Sequence, residues 1–158
     1  MKRKTTTKPL PTRLAGPAES PGFLLWKVSN AWQRRQRAAL QPLGLTHSQF
    51  VLLATATWFD ATETLTQARL AELAGIDVMT TSQVARTLEG AALMERREHP
   101  EDPRAKSISV TARGRELAQE AVVVVEETDA AFFAALGERT AKLVQLFGAL
   151  VKSEAEKA

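Results

Sequence analysis

Leu70-Ala71-Glu72-Leu73-Ala74-Gly75-Ile76-Asp77, running straight into Val78-Met79-Thr80-Thr81-Ser82-Gln83-Val84-Ala85-Arg86-Thr87-Leu88, is the stretch on which the fold turns. Leu70 and Leu73 mark the apolar face of a short helix that Thr66 caps and Gly75 ends. Asp77 caps a second helix reaching about Gly90, with Val84 and Leu88 spaced as its buried stripe. Two helices joined by the tight turn Gly75-Ile76-Asp77 form a helix-turn-helix. The texture then changes. Met94 to His99 and Lys106 to Val110 read as strands, and Pro100-Glu101-Asp102-Pro103-Arg104 is the turn-rich tip between them. A helix pair followed by a β-hairpin predicts a winged helix-turn-helix.

Upstream, Leu25, Val28, Trp32 and Ala39 share one face of a helix that runs from Gly22 to about Leu40, before Pro42 and Gly44 break it. Thr46-His47-Ser48-Gln49 is a capping box that opens a helix with Phe50, Leu53 and Ala54 inward, ending near Trp58. Downstream, Thr111 caps a long helix from Ala112 to about Leu136, and Gly137 separates it from a last amphipathic helix through Leu143, Leu146, Phe147 and Leu150. The fold class is mainly α with a small β-hairpin wing. A winged helix-turn-helix spans about 46–111, between terminal helices at about 22–40 and 112–155, in one domain over 22–157.

Composition bounds the function. The 158 residues carry 44% hydrophobic and 25% charged side chains, ordinary for one globular domain. There is no cysteine, so no disulfide, thiolate zinc site or thiol redox switch is available. No apolar run is long enough to span a bilayer and no signal segment opens the chain, so a soluble cytoplasmic protein without membrane contact is expected. Residues 1–21 hold Lys2, Arg3, Lys4, Lys8 and Arg13 against Glu19 alone, with four prolines, and read as a flexible basic tail. The C-terminal third is acidic, so the basic pI near 9.5 reflects the front and middle of the chain.

The second helix of the pair offers Thr80, Ser82, Gln83 and Arg86 in its first turns. Hydroxyls there suit phosphate or base edges, and a Gln can pair bidentately with adenine in the major groove. On residue types alone, an ordinary capped and solvated helix explains these side chains better. The hairpin tips the balance. Arg96, Arg97, Arg104 and Lys106 place cations on a wing, Arg suits a narrow minor groove, and Asp102 stands two residues before Arg104, placed to orient its side chain, with an exposed ion pair of little worth as the alternative. Double-stranded DNA is the partner this pattern fits.

The same residues resemble the MarR (multiple antibiotic resistance regulator) family. The likeness lies in Leu70 to Asp77 with Thr80, in Leu93-Met94-Glu95-Arg96-Arg97, and in the wing stretch Asp102-Pro103-Arg104-Ala105-Lys106 continuing to Val110-Thr111 and Gly114. It extends back through Leu45-Thr46 and Gln49-Phe50, covering roughly 22–150 in element order. The resemblance implies a homodimer joined by its terminal helices, binding a palindromic operator as a repressor that small aromatic or anionic effectors relieve in many members. Val78 and Gln83 stand where the family often has basic residues, so base preferences do not transfer. The lack of cysteine sets the chain apart from the peroxide-sensing branch. With only His47 and His99, far apart, it does not resemble the zinc-sensing branch, and no metal or cofactor is expected.

Dimerisation also follows from the residues. Ala121-Val122-Val123-Val124-Val125 is apolar nearly all round, more than one neighbouring layer covers, with one intramolecular helix pair as the alternative. Leu25, Val123, Phe132, Leu143, Leu146 and Leu150 are the expected interface. By family analogy Trp26, Trp32 and Trp58 with Arg35 would line an effector pocket, although aromatic residues at helical spacing more often fill a core. No Gly-rich phosphate loop, HExxH or nucleophile elbow is present, so an enzyme is not expected. Two alternatives stand beside the repressor: a winged-helix module binding another protein, and a MarR-like regulator with no small-molecule ligand. Glu95, Glu98, Glu101 and Asp102, which dilute the wing's charge, keep the first of these open.

Overall fold

The computed structural model describes residues 10–102 and 104–157. Residues 1–9 of the expected tail, Pro103 of the wing and Ala158 lie outside the described residues. Six helices and a three-stranded sheet follow in the order α1 (Pro21–Leu40), α2 (His47–Phe59), β1 (Leu65–Thr66), α3 (Gln67–Ala74), α4 (Val78–Gly90), β2 (Met94–Glu98), β3 (Lys106–Val110), α5 (Ala112–Phe133) and α6 (Thr140–Ala155).

The helix starts are set by side-chain caps. Thr46 accepts from the Gln49 amide at 3.2 Å while the Gln49 side chain accepts from the Thr46 amide at 2.8 Å, completing the capping box. Thr66, Asp77 and Thr111 cap α3, α4 and α5 through the amides three residues on. Gly75 closes α3 at φ 64°, a left-handed conformation that suits glycine and turns the chain into α4.

Several bounds differ from the sequence reading. Part of the tail is ordered: Pro17–Glu19 forms a 3-10 turn and Ser20 caps α1, which begins at Pro21. α5 stops at Phe133 because Ala134–Arg139 tightens into 3-10 geometry, and Gly137 leaves helical angles altogether at φ 54°, ψ −131°. The hairpin is part of a larger sheet. Leu65 and Thr66 add a strand to β3 in the order β1-β3-β2, all antiparallel, with Leu65 opposite Ile108 and Arg96 opposite Ile108 from the other side. β2 ends at Glu98 rather than His99.

One core joins α3 and α4 to the rest of the domain. Leu40, Leu52, Leu53, Leu65, Leu70, Leu88 and Met94 are almost wholly buried, with Ile108, Ala118 and Ala121 beside them. Leu73 and Val84, expected inside, are half-buried at its margin. At the seam between α5 and the sheet, a Cβ on Gly114 would stand 2.0 Å from the Leu93 carbonyl oxygen, so only glycine lets the helix start there. Among the described residues no helix is long and apolar enough to cross a membrane.

The terminal helices are covered least. α6 buries none of its residues, and Leu146, Leu150 and Val151 are more than half exposed. In the valine run only Ala121 and Val125 are buried, while Val123 is 53% exposed. Leu25 and Val28 of α1 are exposed too, and Phe132 and Leu143 half-buried. An apolar cleft of about 380 Å³ opens between these helices, lined by Leu24, Leu25, Phe132, Leu143 and Phe147 among others.

Candidate nucleic-acid interface

α4 turns Thr81, Ala85 and Leu88 into the core, which leaves the positions between them facing out. Gln83 and Arg86 are exposed, Thr80 and Ser82 half-buried, and these four with Met79 line one shallow hollow. Arg86 reaches back one turn, its guanidinium donating to the Ser82 hydroxyl at 3.2 Å. The Thr80 side chain, together with the Thr80 amide that donates to Asp77 at 2.9 Å, holds the Asp77 carboxyl below the usual carboxylate range. Val78 and Met79, at the very start of the helix, are exposed apolar side chains.

The wing cations divide sharply. Arg96 is turned back onto the domain: its Nε donates to Glu89 at 2.5 Å, and a second nitrogen reaches Gln67 of α3 at 3.5 Å. Arg97 is paired with Glu95 and Lys106 with Glu98. Arg104 is the one wing cation with no carboxylate partner among the described residues. Asp102 acts differently from the sequence reading, which had it orient the Arg104 side chain. Its carboxylate instead accepts the Arg104 backbone amide at 2.9 Å, an Asx turn that sets the chain rather than the guanidinium. Charged side chains at alternating positions of a strand find neighbours across the sheet or on the adjoining helix, and linear order does not show which are satisfied.

Behind the interface, Asp60 at the end of α2 accepts from Arg115 of α5 at 3.1 Å and from the Val110 amide of β3 at 3.4 Å. Glu63 and Glu72 grip Arg69, which lowers the Glu63 carboxyl and raises the guanidinium. The sequence reading singled out none of these. Asp60 and Arg115 lie 55 positions apart and each reads as an ordinary surface charge.

With that geometry in view, the comparisons with known proteins are specific. A family model described as MarR family matches residues 45–106, the helix pair and most of the wing. The HTH-type transcriptional regulator YdcH of Bacillus subtilis is 43% identical over 125 residues, 78% of this chain and 85% of its own length. The chain belongs to the MarR family. It is a winged helix-turn-helix, DNA-binding transcriptional regulator by that membership. The HTH-type transcriptional repressor Rv2887 of Mycobacterium tuberculosis is 36% identical over 115 residues, 73% of this chain and 81% of the repressor. Among solved structures, CouR of Rhodococcus jostii RHA1 bound to p-coumaroyl-CoA superposes with a TM-score of 0.75 at 26% identity, covering 87% of this chain and 93% of CouR. Rv2887 in complex with salicylic acid gives 0.65 at 32% identity, covering 83% and 96%.

The side chains expected to line an effector pocket in this MarR-family chain have separate surroundings. Trp26 and Trp58 are exposed, at 66% and 80%. Arg35 lies over the Phe132 ring, 5.2 Å from its centre. Trp32 alone sits at the junction of α1, α2 and α5, its indole donating to Asp129 at 2.6 Å. Asp129 also accepts from the buried Gln36 at 2.7 Å, and the Trp32 ring meets His47 edge-on at 4.9 Å. Burial keeps the His47 imidazole below its ordinary range, against the opposing pull of Asp129. The Gln36 side-chain oxygen is buried without a partner among the described residues. Neither Gln36 nor Asp129 was legible in advance, being polar residues of amphipathic helices 93 positions apart. Among the described residues no cluster of His, Asp or Glu is arranged to hold a metal ion.

Proposed function

We propose that the protein is an effector-responsive repressor that binds a pseudo-palindromic operator as a homodimer. Two copies would be joined by α1, α5 and α6, with α4 in the major groove and the wing over the adjacent backbone or minor groove. The observation that carries this reading is the pairing of two exposed features. α4 presents Thr80, Ser82, Gln83 and Arg86 together, and the wing leaves Arg104 alone unneutralised among its described cations. A helix reads bases with short polar side chains near its N-terminus, and an Arg on the wing suits the negative potential of a narrow groove.

The uncovered apolar side chains of α1, α5 and α6 support the homodimer, since patches of this kind on a single copy mark an association surface. Response to a small aromatic or anionic effector is supported by the ligands in the two related structures, salicylic acid and p-coumaroyl-CoA. In this chain the α1–α2–α5 junction around Trp32, His47 and Gln36 offers an aromatic wall and a spare acceptor. Catalysis has no support in the residues or in the relatives.

Titration of a duplex at two salt concentrations tests the reading against a winged-helix module that binds protein. Phosphate contacts make affinity fall steeply with salt, by orders of magnitude between about 50 and about 200 mM for several contacts. Absence of duplex binding at low salt would remove the DNA-reading assignment.

A further inference from the structure

The wing tip is built on an imidazole. His99 follows the last residue of β2, and its Nδ1 accepts from the backbone amides of both Glu101 and Asp102, each at 3.2 Å. This is the position a side-chain oxygen of Asn or Asp takes in an Asx turn, bonding amides two and three residues on. The bonds continue outward. The Asp102 carboxylate accepts from the Arg104 amide at 2.9 Å and its carbonyl from the Ala105 amide at 3.0 Å, while the His99 amide closes the loop on the Ala105 carbonyl at 3.3 Å. Arg104 therefore hangs on a short chain of hydrogen bonds that begins at His99.

Nδ1 can accept only as a bare lone pair, so the neutral ring carries its proton on Nε2. A proton on Nδ1 would set an N–H against two N–H groups and break both bonds. We propose that His99 is the positioning residue of the wing, holding Arg104 in its reading position only while the imidazole is neutral. The inference rests on the reading that Arg104 meets DNA. The charged groups around His99 do not replace the lost acceptor. Arg97 and Glu98, at the end of the strand before it, are held by Glu95 and Lys106. Across the adjoining hollow, Asp60 and Glu63 are held by Arg115 and Arg69. Glu101 and Asp102 are the very residues whose amides His99 binds, and Arg104 is the residue positioned.

The test is the fold-loss in duplex affinity on Arg104→Ala, measured at about pH 8 and about pH 5.5, the span over which imidazoles change charge. Taking this ratio at each pH cancels remote effects, including those of His47, the other histidine. In the wild-type background the loss should be about tenfold at the higher pH, the scale of one charge-assisted contact, and shrink to threefold or less at the lower. In a His99→Asn background, whose amide oxygen accepts but does not titrate, it should stay near tenfold at both. In a His99→Ala background it should be small at both, with circular dichroism confirming the fold. An Arg104→Ala loss that is large but identical at both pH values in the wild-type background overturns the role of His99 and leaves the wing contact standing. No loss at the higher pH overturns the wing contact itself, and the role of His99 with it.

Discussion

Arg96 and Glu89 form a latch between the wing and α4, with Arg96 Nε 2.5 Å from a Glu89 carboxylate oxygen. Glu89 is the penultimate residue of α4, where a negative charge opposes the helix dipole, and the guanidinium offsets that repulsion. The latch ties the wing to α4 and neutralises one surface cation. Arg96→Ala and Glu89→Ala should each lower stability slightly. A double-mutant cycle followed by denaturant unfolding should give a coupling of up to about 1 kcal/mol. The salt dependence of DNA binding should be unchanged in Arg96→Ala; a slope shallower by one unit would return Arg96 to the interface.

Arg104 and Gln83 should fail in different ways. Arg104→Ala removes the wing cation that has no carboxylate partner among the described residues, so affinity should fall on most sequences and the salt slope should become shallower by about one. Gln83→Ala should cost about 1–3 kcal/mol on the preferred operator and little on random duplex, as loss of a base contact does. Titrations of both duplexes at several salt concentrations distinguish the two. Equal weakening on operator and random DNA would make Gln83 a phosphate contact instead.

Gly114 is a stability position. A methyl group there would collide with the Leu93 carbonyl, which cannot retreat without pulling β2 from its register with Val110. Gly114→Ala should cost about 3 kcal/mol, the upper end of overpacking, although alanine favours a helix elsewhere. Urea unfolding measures it, and a neutral or stabilising result would show that the seam yields.

Stability should fall on mild acidification. Burial holds the His47 imidazole below its ordinary range in the folded chain, so the unfolded chain takes up this proton first. The contribution is complete above about pH 6.5 and is lost as pH drops from there towards the folded value. Asp77 and Glu63, with lowered carboxyls, act in the same direction but only at carboxylate pH, about 4 and below. Thermal melts between about pH 7 and about pH 5.5 should show a falling midpoint that flattens in His47→Phe, where the ring stays against Trp32 but cannot titrate. An unchanged slope in that variant would assign the acid sensitivity elsewhere.

What the sequence made legible is local and periodic. The caps at Thr46, Thr66, Asp77 and Thr111, the turn at Gly75 and the outward side chains of α4 all follow from residue type and spacing within a few positions. The two-residue strand Leu65–Thr66 has no period to read, and only its pairing with β3 defines it. The division of the wing cations was hidden for a different reason. Arg96 and Arg104 are chemically alike, and which one is neutralised depends on Glu89, seven positions upstream across the turn into β2. His99 looked like one more wing residue, because an imidazole standing in for an Asx side chain has no distinct pattern. The junction of Trp32, Gln36 and Asp129 joins residues 93 to 97 positions apart, beyond the reach of spacing.

Selection of binding sites from random duplexes with the wild-type protein bears most directly on the proposal of a homodimeric DNA reader. Two symmetric α4 helices should enrich a pseudo-palindrome whose half-sites are centred about 10 base pairs apart, one helical turn. Enrichment of a single asymmetric site, or none over background, would contradict it.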